Sequence, residues 1–171
     1  ADVENLCHLA CWLYVYGRPD AALECISLTK NVPFDQNYNV WTFIHAMWGL
    51  EIRILREIGE FGKAGVIAGL MDEHMLMPNK ILDTPEKMEK HEEKRRARFG
   101  IGPEWNAGIE VSYLDKVESA DSLARANAWR FVALLKLIGA TETGLYPNLN
   151  SKRDIVEKVI AEYIGVLSRL K

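Results

Sequence analysis

Cys7 and Cys11 stand four apart with His8 between them. On a helix this spacing puts two thiols on one face, where they would serve as two ligands of a soft metal. No second ligand pair follows at a usual spacing, and Cys7 falls on an apolar stripe. The thiols therefore read as core residues, and no metal is expected. His45 lies between Trp41 and Trp48, a setting in which an imidazole can move protons. Glu51, its nearest acidic companion, is six residues on and does not share its helix face, so a satisfied core or interface histidine is favoured. Asp72-Glu73-His74 carries metal-binding side chains in a row, but adjacent helical residues diverge, and a polar helix end is the simpler reading. Arg95, Arg96 and Arg98 would suit phosphate, yet Glu92 and Glu93 beside them argue for a solvated, salt-bridged face. Gly100-x-Gly102 follows no strand and has no Lys-Ser/Thr after it, so no nucleotide or other cofactor is expected. No Ser/His/Asp or Cys/His set assembles from spacing.

The aromatic residues are more informative. Trp12, Tyr14 and Tyr16 in the first segment, Tyr38 and Trp41 further on, and Trp105 exceed what one helical stripe can bury, and Trp12 lies off the stripe of its own segment. Exposed Trp and Tyr are favoured anchors for a partner. Trp12, Tyr16, Tyr38, Trp41 and Trp105 are the partner-binding candidates. His45, Trp48 and Glu51 are the alternative, as the lining of a pocket.

These residues must be carried by helices. Val3, Leu6, Cys7, Ala10, Leu13 and Tyr14 recur at helical spacing over about 2–16. Gly17 ends that helix, Pro19 and Asp20 suit the first turn of the next, and Pro33 closes the second after about Val32. Ala22, Cys25, Ile26 and Thr29 form its inner face. The third segment, 38–58, is apolar on two sides, which predicts a helix sandwiched between neighbours. One side is Val40, Ile44, Met47, Leu50, Ile54 and Ile58. The other is Trp41, Trp48, Ile52 and Leu55. Gly59 ends it, and 61–71 makes a fourth helix. Residues 78–118 read as an insertion: a charged, solvated helix opened by Thr84-Pro85, then a glycine-rich loop. Helical pattern returns from Asp121 with Phe131, Leu134, Leu135 and Ile138, and Gly139 is expected to stop it. After a 141–150 linker, Ser151 with Asp154 caps a last helix striped by Val156, Val159, Ile160, Tyr163, Leu167 and Leu170. No period-2 alternation supports a strand. The expected fold is all-α, one domain over 1–171, built of stacked antiparallel helical hairpins.

Leu9-Ala10, Tyr14 and Gly17-Arg18-Pro19-Asp20-Ala21-Ala22-Leu23-Glu24 together resemble a tetratricopeptide (TPR) unit, with Gly17 in the turn and Ala22 at the close-packed position. Trp48 and Gly59-Glu60-Phe61-Gly62-Lys63-Ala64 echo it, with Gly59 and Ala64 in the same two roles. The two glycines are 42 residues apart, against a family repeat of about 34, and the resemblance covers roughly the first 70 residues. It implies an irregular α-α superhelix and a binding role through a concave face. The family's basic clamp residues for peptide carboxylates are not recognisable here.

Charge and composition narrow the partners. The chain of 171 residues has a net charge of −3, which gives no electrostatic reason to seek nucleic acid or an anionic membrane. No apolar run approaches the ~18 residues of a membrane span. Three cysteines make no disulfide framework and suit a reducing, cytoplasmic setting. The expectation is a non-catalytic module that binds a protein or peptide in a groove between the first and third helices. The alternative is a small helical enzyme or small-molecule binder, with a pocket between helix 38–58 and the 78–118 insertion.

Overall fold

The computed structural model describes residues 3–30, 38–75, 84–87, 89–90, 93, 115–143 and 153–170, with the side chains of 38–42, 72–75, 140 and 143 outside the description. The described chain is all-α. Its principal helices are α1 (Val3–Val15), α2 (Pro19–Ser27), α3 (Tyr38–Glu57), α4 (Phe61–Met75), α5 (Leu123–Thr143) and α6 (Arg153–Leu167). Residues 85–87, 89–90, 93 and 115–118 are also helical, and the Thr84 hydroxyl accepts the Lys87 amide to cap the first of these stretches. The rest of the expected 78–118 insertion, with Gly100-x-Gly102 and Arg95, Arg96 and Arg98, lies outside the described residues, as does the Ser151 cap.

Two turns built alike set the hairpins. After α1, Gly17 takes φ 73°, its amide bonds the Tyr14 carbonyl, and the Arg18 amide reaches back to Leu13. After α3, Gly59 takes φ 83°, its amide bonds Arg56, and the Glu60 amide reaches back to Leu55. Both are Schellman caps, and glycine is the residue that enters the left-handed region without strain. Five residues after each glycine a buried alanine, Ala22 or Ala64, lets the returning helix pack closely. The duplicated motif therefore builds the duplicated turn.

Helix α3 is the hub of the packing. It lies against α1, α2, α4 and α5, and its contact with α5 is the most extensive in the molecule. Ile44, Met47, Leu50, Ile52 and Ile54 are sealed from solvent, which accounts for an apolar pattern on two sides. Each such side chain contributes roughly 1.5–3 kcal/mol by leaving water. The three cysteines are buried, free thiols. Cys7 donates to the Phe43 carbonyl of α3 (3.5 Å) and Cys25 to the Leu6 carbonyl of α1 (3.3 Å), so they stitch neighbouring helices. Helix α6 buries Val156, Ile160, Tyr163 and Leu167 against α5.

Four helix boundaries differ from expectation. Helix α2 ends at Ser27 because hydroxyls take its last carbonyls. Ser27 Oγ donates to Glu24 O (2.6 Å) and Thr29 Oγ1 to Ile26 O (2.7 Å), and the chain tightens into three-residue turns. Helix α4 runs through Asp72-Glu73-His74 to Met75. Helix α5 starts at Leu123, where Ser122 Oγ accepts the Arg125 amide (3.2 Å). It also passes straight through Gly139 to Thr143, so 141–143 is helix rather than linker. Gly139 is a crossing residue. A Cβ placed on it would lie 2.7 Å from the Ala46 Cα, and one on Gly49 would lie 2.5 Å from the Gly139 Cα. The backbones of α3 and α5 touch there.

The crossing predicts opposite outcomes for two glycine substitutions. Gly139→Leu must separate α3 from α5 and should cost at least about 3 kcal/mol or abolish folding. Gly65→Ala, on the exposed side of α4 where no atom lies within 4 Å of an added Cβ, should stabilise by about 0.5–1 kcal/mol. Urea unfolding followed by circular dichroism measures both.

Candidate functional site

On α1, Leu9, Trp12 and Tyr16 share the side turned away from the core. Leu9 and Trp12 are each 49% exposed. The Trp12 ring sits 4.4 Å from Tyr16 and 6.4 Å from Phe131 of α5, nearly parallel to the latter. Tyr16 is half-buried, and its hydroxyl donates to the Leu170 carbonyl beyond α6 (2.7 Å). The three rings form a fixed row at the α1–α5 seam, with Trp12 in the middle and most open. Trp12 and Tyr16 are thus brought together. The side chains of Tyr38 and Trp41, and the whole of Trp105, lie outside the described residues.

Helix α5 packs on both α1 and α3, and its Leu134, Leu135 and Ile138 are fully buried.

His45, Trp48 and Glu51 are buried on α3. Glu51 holds Lys30 of the turn after α2 through Oε1 (2.7 Å). His45 and Trp48 each have an interaction within the chain. Most of the insertion that would face them lies outside the described residues. Cys7 and Cys11 are fully enclosed, and burial pushes the Cys11 thiol up to about 12 and raises Cys7 further. Thiols so raised stay protonated at neutral pH, as core thiols do. Among the described residues no group of three His, Cys, Asp or Glu is placed to hold a metal ion, and no helix is long and apolar enough to cross a membrane.

Spacing did not reveal a polar cluster that joins four helices around Arg53. Its guanidinium makes a two-pronged pair with Glu157 of α6 (3.1 and 3.0 Å). Its Nε donates to the Tyr14 hydroxyl of α1 (3.1 Å) and lies 3.2 Å from Glu57. Tyr14 in turn donates to Glu57 (2.7 Å). Glu142 of α5 lies 3.8 Å from Arg53 and pairs with Arg56 through its other oxygen. Glu142 is 4% exposed and Arg53 15%. Burial raises the Glu142 carboxyl above its usual range, and Arg56 and Arg53 offset this only in part. Burial, then the bond to Glu57, pushes the Tyr14 hydroxyl up to about 12. The three nitrogens of Arg53 and the Tyr14 hydroxyl each meet an acceptor inside the cluster, so its chemistry is that of a clasp. The one signal in the sequence was a charged residue, Arg53, set between the apolar Ile52 and Ile54. Nothing in the spacing pointed to Glu142 or Glu157.

With this geometry in view, comparison with known families gives one result. The model of DUF6707, a family of unknown function, matches residues 1–98, which is more than half of the chain. The chain belongs to this family. The matched stretch covers both Schellman turns and all of α1 to α4, while α5 and α6, with Glu142 and Glu157, fall beyond it. No curated protein and no solved structure matches the chain.

The clasp yields two predictions. Arg53→Ala leaves Glu142 and Glu157 without their common cation and should cost about 3 kcal/mol, whereas Glu142→Gln should stay within about 1 kcal/mol of the parent. Chemical denaturation at pH 7 separates the two. The Tyr14 hydroxyl has a raised pKa in the folded chain, so the unfolded chain loses that proton first as pH rises. Its stabilising contribution is therefore complete below its unfolded value of 10.0 and is lost as pH climbs towards about 12. Tyr14→Phe should be less stable than the parent at pH 8 by about 1 kcal/mol. The gap between them should shrink above pH 10, as read from paired denaturation curves.

Proposed function

We propose that this DUF6707 member is a non-catalytic interaction module that binds a protein or peptide along the outer edge of α1. The observation that carries the reading is the aromatic row, in which Trp12, between Tyr16 and Phe131 and beside Leu9, stays half exposed. Rings already locked in place lose little freedom on binding, and Trp and Tyr contribute more than their share of interface energy. The side chains repeat along one helix edge, which suits an apolar or amphipathic segment laid lengthwise. The surrounding architecture supports the same reading. Two hairpins with like turns pack through α1 and α3, with α5 against both, an arrangement we read as TPR-like. Buried, protonated thiols suit a reducing cytoplasmic setting.

A photo-crosslinking residue at position 9 should capture one discrete partner, and the same residue at position 28, at the exposed end of α2, should not. Trp12→Ala should weaken that partner's Kd by roughly 30-fold or more while costing only about 1 kcal/mol of stability. Capture that is equal at both positions, or a Trp12→Ala variant that fails to fold, overturns the reading.

A further inference from the structure

We draw no further inference here: the strongest candidate, the outer face of α4 where Phe61, Val66 and Leu70 stand exposed beside Gly62, Gly65 and Gly69, is an unpartnered apolar face and nothing in the structure shows what covers it.

Discussion

The contact between the backbones of α3 and α5 at Gly49, Gly139 and Ala46 is the constraint on which the rest of the molecule depends. Two helices can approach this closely only where side chains are absent, and so close an approach restricts how they can sit relative to one another. With that crossing made, α5 packs against both α1 and α3 and buries Leu134, Leu135 and Ile138. Phe131 comes to rest against Trp12, and Glu142 arrives beside Arg53 and Arg56. The aromatic row and the polar clasp both follow from one point of close packing.

The clasp has a different role from the crossing. Burying three carboxylates and two guanidiniums to different degrees is not a cheap source of stability, because desolvation consumes much of the attraction between them. What such a cluster supplies is register. Arg53 meets Glu157 in a two-pronged pair with a planar geometry, and Tyr14 accepts from Arg53 while donating to Glu57. An α6 rotated by one residue would lose the pair, although its apolar stripe would still find something to bury. Apolar packing holds α6 on α5, and the clasp together with the Tyr16–Leu170 bond selects the position in which it sits.

The family match and the packing divide the chain differently. The match stops at residue 98, whereas the core is continuous from α1 to α6. The two-sided apolar character of α3 is the physical reason. Helix α3 packs against α1, α2 and α4 within the matched stretch and against α5 beyond it. In the full chain the hairpin stack and the C-terminal helices therefore share a single interior.

Much of the local structure was legible in the sequence, because it rests on short-range physics. Gly17 and Gly59 announced their turns since only glycine enters the left-handed region freely. The apolar spacing of α6 named Val156, Ile160, Tyr163 and Leu167 as its inner face. The buried cysteines and the sandwiched character of α3 were legible for the same reason. What the sequence could not carry was the identity of partners distant in the chain. Gly139 read as a stop because a glycine that ends a helix and one that lets another helix touch it look alike until the neighbour is known. Nothing in the sequence singled out Glu142 and Glu157, because Arg53, which draws them in, is 89 and 104 residues away. That α5 packs on both α1 and α3 was decided only by the tertiary structure, since helix packing depends on the shapes of both surfaces and a linear pattern records one at a time.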